Sequence, residues 1–248
     1  METQIQTTEQ EFKFLRLNNN PINLYVSPSL FMPNQTTALI AEAVKLNPGE
    51  IGIELGAGTG PLTVLLASQP IAQLYAVEIV KEQCELAKKN IEKYNLQNKV
   101  TFYQGSIFEP IINNHQGLKA DFIVSDISGM SENSGRTLNW YPPHIPTGGQ
   151  DGTEAIIPLI EQSPNFLKES GRLYFPIVVN FSYKDKILNA ANEKFGKLEK
   201  IAETRIPLTG EMMSIVENLN SGVYKPVTRK GSRGFWELEI YEANEPKK

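Results

Sequence analysis

Closely spaced glycines follow an acid in the first half of the chain. The segment Glu54-Leu55-Gly56-Ala57-Gly58-Thr59-Gly60 closes an apolar run and precedes Pro61, a residue that suits the first turn of a helix. Glycine suits a sharp turn from strand to helix, because its backbone can approach a ligand with no Cβ in the way. The spacing G-x-G-x-G differs from the G-x-G-x-x-G of a dinucleotide pyrophosphate site. We therefore expect a ligand loop in which Glu54 meets a bound amino group.

Further polar residues stand where the next apolar runs end. Glu78 ends the run LYAVE, at a position where a carboxylate accepts hydrogen bonds from two ribose hydroxyls. Ser106 and Ile107 follow the run VTFYQ, and Asp126 follows DFIVS. The carboxyl ends of parallel strands meet at the sheet edge where ligands bind, so we expect these residues to face one cleft.

The elements that carry these residues alternate regularly. Apolar runs of five to seven residues, such as IGIEL and DFIVS, are separated by amphipathic helical patterns such as KEQCELAKKNIEKYN. This alternation predicts βαβ units and a parallel sheet that is buried on both faces, which makes the fold class α/β and doubly wound. We expect an arm or lid over residues 1–36 and the main domain over residues 37–248.

The segment E-L-G-A-G-T-G followed by V-E resembles the first two motifs of class I S-adenosylmethionine-dependent methyltransferases, and the order of elements is similar over roughly residues 35–245. The resemblance implies a Rossmann-like seven-stranded sheet with the last strand antiparallel, and S-adenosylmethionine as the cofactor. It implies that Ser106 or Ile107 meets adenine, where the family often has Gly-Asp, and that Asp126 lies beside the transferable methyl group. The other implied cofactor residues are Glu54, Gly56, Ala57, Gly58, Gly60 and Glu78.

Two segments that lie far apart in the sequence resemble segments of the release-factor glutamine methyltransferases, which is a closer resemblance. FMPNQTT and the later TGGQDGT look like that family's Phe-x-Pro and Gly-Gly-x-Asp-Gly segments. However, its fourth motif is Asn-Pro-Pro-Tyr, whose asparagine and backbone carbonyl hold a planar amide, and Ser125-Asp126-Ile127-Ser128 stands in its place here. This departure argues against a glutamine side chain as the substrate.

An acid in place of that asparagine favours an amine or guanidine nitrogen, which must lose a proton before it attacks. Asp126 is therefore the main catalytic candidate, and His144 is a second candidate base. The long polar stretch over residues 128–150 also supplies Trp140 and Tyr141, which we expect to close over a small substrate. The residues expected to contact the substrate are Tyr25, Phe31, Ser128, Trp140, Tyr141 and Arg233.

The composition limits the classes of partner that the protein can bind. The chain has 248 residues, a net charge of -4 and one cysteine. The mild acidity argues against general nucleic-acid binding, the single cysteine excludes an internal disulfide, and charged or polar residues interrupt every apolar stretch. We expect a cytoplasmic protein that neither spans a membrane nor binds nucleic acid and that has no metal site. The sequence does not determine the oligomeric state.

Three functions remain compatible with the sequence. We favour an enzyme of small-molecule biosynthesis that methylates an amine-type nitrogen, with an oxygen acceptor as a variant. A protein or peptide methyltransferase related to the release-factor enzymes is the alternative, and a nucleotide-binding module without catalysis is the third. The aromatic residues of the polar stretch over residues 128–150 and the short N-terminal arm favour the small-molecule function.

Overall fold

A computed structural model describes residues 9–14, 21–219 and 224–247. The chain forms two compact units, Met1–Leu118 and Lys119–Lys248. The predicted boundary between an arm and a main domain at residue 36 stays a prediction.

The first unit begins with a β-hairpin. Strand β1, Gln10–Phe14, pairs antiparallel with β2, Ile22–Val26, and Glu11 lies opposite Tyr25. The sequence predicted an arm or lid over residues 1–36, and both strands lie within that range. The apolar residues Phe14, Leu24 and Val26 are buried, and their burial explains why this polar segment forms a strand.

The rest of the first unit alternates strands and helices as predicted. Its three central strands are parallel in the order β5-β4-β3, with Glu54 opposite Ala76 and Glu78 opposite Gln104. The elements are α1 Gln35–Ala43, β3 Ile51–Leu55, α2 Pro61–Ala67, β4 Gln73–Glu78, α3 Lys81–Lys93, β5 Val100–Gln104 and α4 Glu109–Asn114.

The second unit contains a mixed sheet in the order β6-β7-β10-β8, with β9 paired to β10. Strands β6 and β7 are parallel, and β10 is antiparallel to all three of its neighbours. The elements are β6 Ala120–Ser125, α5 Glu132–Thr137, α6 Ile156–Gln162, β7 Leu167–Val178, α7 Lys184–Lys194, β8 Phe195–Leu208, α8 Gly210–Leu219, β9 Thr228–Lys230 and β10 Arg233–Pro246.

The predicted Rossmann-like α/β fold with an antiparallel last strand is confirmed. Besides the N-terminal hairpin, the described residues of the two units hold three and five strands, which makes eight where seven were expected. The extra strand is the short β9, which turns into β10 through Gly231 at a φ of 62°. The stretch expected to be a loop over residues 128–150 contains helix α5.

No helix in the described ranges is long and apolar enough to cross a membrane. The cytoplasmic location expected from the sequence stays a prediction.

Candidate active site

The glycine loop between β3 and α2 is held against the end of β4. The backbone N–H groups of Gly56 and Ala57 donate to the Val77 carbonyl at 2.9 and 3.1 Å. Gly58 and Gly60 have φ angles of 57° and 84°, in the left-handed region that disfavours other residues. A Cβ on Gly58 would meet nothing within 4 Å, whereas one on Gly60 would lie 3.3 Å from the Cα of Ala87. Gly60 therefore allows close packing on α3, and Gly58 presents bare backbone on an open side.

Glu78 ties this loop to the end of β4. Its Oε2 atom accepts a hydrogen bond from the Gly58 N–H at 2.8 Å, and its Oε1 atom accepts one from the Val80 N–H at 2.8 Å. The residue is only 5% exposed. Each carboxylate oxygen has two acceptor sites, so Glu78 retains capacity for two hydroxyl donors. The sequence predicted a ribose ligand at this position but not the bond that fixes the loop.

Glu54 lies next to the loop, as the penultimate residue of β3. The residue is 0% exposed. Glutamate is almost never fully buried without a specific interaction, since taking its charge out of water costs free energy. Its burial marks the end of β3 as a polar site inside an apolar sheet.

The ends of β4 and β5 offer apolar surface for a flat ring. Ile107 has a φ of 46°, which is a strained conformation for a β-branched residue, and such strain concentrates at functional sites. The next residue, Phe108, is buried, and Ser106 is exposed. Sequence reasoning missed Ile79, which is 52% exposed directly after Glu78. The sequence signal for Ile79 was that the apolar run LYAVEIV continues past Glu78.

Two of the residues predicted to contact the substrate, Ser128 and Tyr141, meet in the second unit, after β6. The Tyr141 hydroxyl forms a hydrogen bond with the Ser128 side chain. Burial raises the pKa of Tyr141 to about 12; the Ser128 hydrogen bond opposes this rise, and the nearby negative charge of Asp126 adds a smaller upward effect. Tyr141 is therefore a neutral hydroxyl beside a carboxylate at neutral pH. We refer to Asp126, Ser128 and Tyr141 as the acceptor cluster.

Arg136 on α5 organises the segment that carries Tyr141. Its guanidinium donates to the carbonyls of Tyr141 at 3.1 Å, Ile145 at 2.9 Å and Pro142. Its Nε atom also donates to Glu132 at 2.9 Å. Since these acceptors are backbone carbonyls, which every residue has, no sequence pattern indicated this role.

The aromatic residue expected to form a lid packs inside an aromatic triad. The Trp140 ring lies 5.6 Å from Phe181 and 5.7 Å from Trp236, between ring centroids, and Phe181 lies 6.2 Å from Trp236. Such tilted arrangements stabilise aromatic pairs. The triad anchors the segment after α5 to β10 and to the end of β7.

The Gly-Gly-x-Asp-Gly segment has a packing role. A Cβ on Gly152 would lie 2.7 Å from the Gly129 carbonyl oxygen, so only glycine lets this segment approach the loop after β6. Asp151 accepts a hydrogen bond from the Thr153 N–H at 3.1 Å and pairs with Lys186 at 2.6 Å. The segment therefore fixes the loop that holds Ser128.

The remaining residues predicted to take part in the reaction or to contact the substrate lie in both units. His144 and Arg233 are exposed, and neither takes part in the hydrogen bonds of the acceptor cluster. In the first unit, Tyr25 and Phe31 are half-buried, and the Lys93 ammonium lies 4.2 Å from the centre of the Tyr25 ring. No group of three or more metal-ligating side chains occurs in the part of the chain that the structure describes.

Known proteins resemble this chain in sequence. A family model described as a methyltransferase domain matches residues 46–217. The chain is 27% identical over 204 residues to the release factor glutamine methyltransferase of Thermosynechococcus vestitus, covering 72% of this chain and 64% of that protein. It is 29% identical over 133 residues to the ribosomal protein uL3 glutamine methyltransferase of Bordetella pertussis, covering 52% and 43%. The chain therefore spans less than two thirds of either relative.

A solved structure supports the fold. The T. thermophilus 16S rRNA N2 G1207 methyltransferase, in complex with AdoMet and guanosine, has a TM-score of 0.60 to this chain at 16% identity. The match covers 96% of this chain and 50% of that chain. At this identity, the similarity shows a shared fold.

The expected small-molecule substrate is wrong. Both curated relatives are named for protein substrates, a release factor and a ribosomal protein. The expectation depended partly on an aromatic lid; Trp140 packs against Phe181 and Trp236 in the second unit, and its contact with a substrate stays a prediction.

Proposed function

The chain belongs to the class I S-adenosylmethionine-dependent methyltransferases, and from that premise we propose that it transfers a methyl group to a side-chain nitrogen of a protein. The protein nature of the substrate is supported by the relatives named for release-factor and ribosomal-protein methylation. The observation that carries the choice of a basic nitrogen is the acceptor cluster after β6.

The glycine loop and its neighbours fit S-adenosylmethionine. Gly58 has an open side where a ligand can approach the backbone, and Glu78 keeps acceptor capacity for two ribose hydroxyls. Ile79 and Ile107 offer apolar side chains to adenine at neighbouring strand ends. Glu54 supplies a buried carboxylate for the amino group. The bound cofactor would supply a methyl group on a positively charged sulfur.

The acceptor cluster suits a nitrogen that arrives protonated. Asp126 can accept a hydrogen bond from an ammonium or guanidinium group and take its proton, which frees the lone pair for attack. Tyr141 is neutral at neutral pH, since its pKa of about 12 lies even farther above that pH than the ordinary value of 10.0, so it adds no second negative charge. Ser128 holds the Tyr141 hydroxyl and thereby orients it. A lysine or an arginine side chain fits this chemistry better than a glutamine amide, which carries no charge.

The direct test is transfer of a labelled methyl group. The protein is incubated with methyl-labelled S-adenosylmethionine and a bacterial extract separated into macromolecules and small molecules, and with peptide arrays that differ only in a lysine, arginine or glutamine acceptor. We expect label in the protein fraction and on basic acceptors. Label confined to small molecules would refute a protein substrate, and label on glutamine peptides alone would refute a basic acceptor.

Asp126 variants separate binding from transfer. Asp126→Asn keeps the size of the side chain and removes its charge, whereas Asp126→Ala removes both. We expect turnover to fall at least about a hundredfold in both variants, within the range that general base catalysis contributes. Binding of S-adenosylhomocysteine should change less than about twofold. Full turnover in both variants would exclude Asp126 from the reaction, and binding without any transfer in the wild type would favour a non-catalytic module.

A further inference from the structure

Helix α3 closes the free edge of the N-terminal hairpin, which consists of β1 and β2. One edge of β2 pairs with β1, and the backbone groups of Asn23 and Tyr25 are bound by side chains of α3. The Tyr25 N–H donates to Asn90 Oδ1 at 2.7 Å, and Asn90 Nδ2 donates to the Tyr25 carbonyl at 2.9 Å. The Asn23 N–H donates to the Tyr94 hydroxyl at 2.8 Å. Residues two apart on a strand share a side, and so do residues four apart on a helix. Asn23 and Tyr25 therefore face Asn90 and Tyr94.

The same asparagine also binds the glycine loop. Asn90 Nδ2 donates a second hydrogen bond, to the carbonyl of Thr59, at 2.8 Å. Thr59 lies between Gly58 and Gly60, and Asn90 is 0% exposed. One buried carboxamide therefore joins β2 of the hairpin, helix α3 and the loop.

The other links between the hairpin and α3 are weaker. Lys93 pairs with Glu11 at 2.7 Å and Lys89 pairs with Glu9, with at least one partner of each pair largely exposed. Exposed ion pairs contribute little, because water screens the charges. By contrast, a buried carboxamide that loses its donors leaves buried carbonyls without a partner, which is costly. Of the hydrogen bonds and ion pairs described above, those of Asn90 are the ones that reach both the hairpin and the glycine loop.

We propose that Asn90 is a positioning residue that couples docking of the N-terminal hairpin to cofactor binding at the glycine loop. A ligand that orders the loop fixes the Thr59 carbonyl, which fixes the Asn90 side chain and with it the backbone of Tyr25. By linkage, a docked hairpin raises the affinity of the loop for the cofactor to the same extent. The inference depends on the proposed cofactor site.

The first test compares two variants of α3 by calorimetric titration with S-adenosylhomocysteine. Asn90→Asp keeps the shape of the side chain and the acceptor for Tyr25, but it places an oxygen against the carbonyls of Tyr25 and Thr59. Tyr94→Phe is the matched control, since it removes a hairpin contact of the same helix that does not reach the loop. We expect Asn90→Asp to weaken binding at least about tenfold and Tyr94→Phe by less than about threefold. Equal effects would overturn the coupling role.

The second test uses the wild-type chain and therefore does not depend on how a variant folds. Amide hydrogen exchange at Tyr25 is measured with and without saturating S-adenosylhomocysteine. We expect the ligand to slow exchange at Tyr25 at least about fivefold, because it stabilises the docked hairpin. Unchanged exchange despite measured binding would overturn the inference alone, whereas a wild-type chain that does not bind the ligand would overturn the proposed cofactor site as well.

Discussion

Replacement of Glu78 by glutamine tests whether this side chain holds the glycine loop as well as the ligand. The carboxylate accepts two backbone N–H bonds at 2.8 Å, one from Gly58 and one from Val80, while being 5% exposed. Glutamine has one carbonyl oxygen, so its amide nitrogen must face one of the two donors. The variant therefore loses a bond to a charged acceptor and leaves a buried N–H without a partner.

The size of this effect follows from those two bonds. A hydrogen bond to a charged group contributes about 1.5–3 kcal/mol, and an unsatisfied buried donor costs about 1–3 kcal/mol. Because the two quantities describe overlapping parts of one change, we expect a loss of about 2–4 kcal/mol in the free energy of unfolding without ligand. We also expect weaker binding of S-adenosylhomocysteine, by about tenfold or more, since one acceptor for the ribose is replaced by a donor.

Urea unfolding of the ligand-free protein, followed by circular dichroism, measures the first quantity, and calorimetric titration measures the second. The matched control is Glu85→Gln, which removes the same charge from an exposed position on α3. We expect the control to change the free energy of unfolding by less than about 0.5 kcal/mol. The reasoning is refuted if Glu78→Gln unfolds at the same urea concentration as Glu85→Gln, because the loop would then not depend on the carboxylate.

Three further predictions concern the acceptor side and the loop. The pKa of Tyr141 is raised from 10.0 to about 12 in the folded state, so the unfolded phenol loses its proton first as the pH rises. The free energy of unfolding should therefore fall between about pH 10 and about pH 12, and Tyr141→Phe should flatten that decline in alkaline unfolding curves. Arg136→Lys cannot serve three carbonyls in a planar arrangement, so the KM for the protein substrate should rise about tenfold while the affinity for S-adenosylhomocysteine stays constant. Gly58→Ala and Gly60→Ala should each cost about 1–2 kcal/mol for a left-handed φ, and unfolding measurements should show a further loss only for Gly60→Ala, whose Cβ meets Ala87.

Most of the strands, their order along the chain and the position of the glycine loop were predictable from the sequence. Apolar periodicity and glycine spacing are local properties, so Glu54, Glu78 and Asp126 were assigned to strand ends from a few neighbouring residues. The confirmed α/β fold follows from the same alternation. Strand β1 was missed because its residues are mostly polar, and it forms through pairing with β2.

Tertiary structure decided which side chains cooperate. Asn90 reaches partners 31 and 65 residues away, and the role of Arg136 depends on backbone carbonyls that carry no sequence signal. Trp140 contacts Phe181 and Trp236, which stand far from it in the sequence. A sequence therefore indicates where a chain turns and which charges stand at its strand ends, because these depend on near neighbours. Hydrogen bonds and ring contacts between distant segments require the folded chain, since their geometry exists only there.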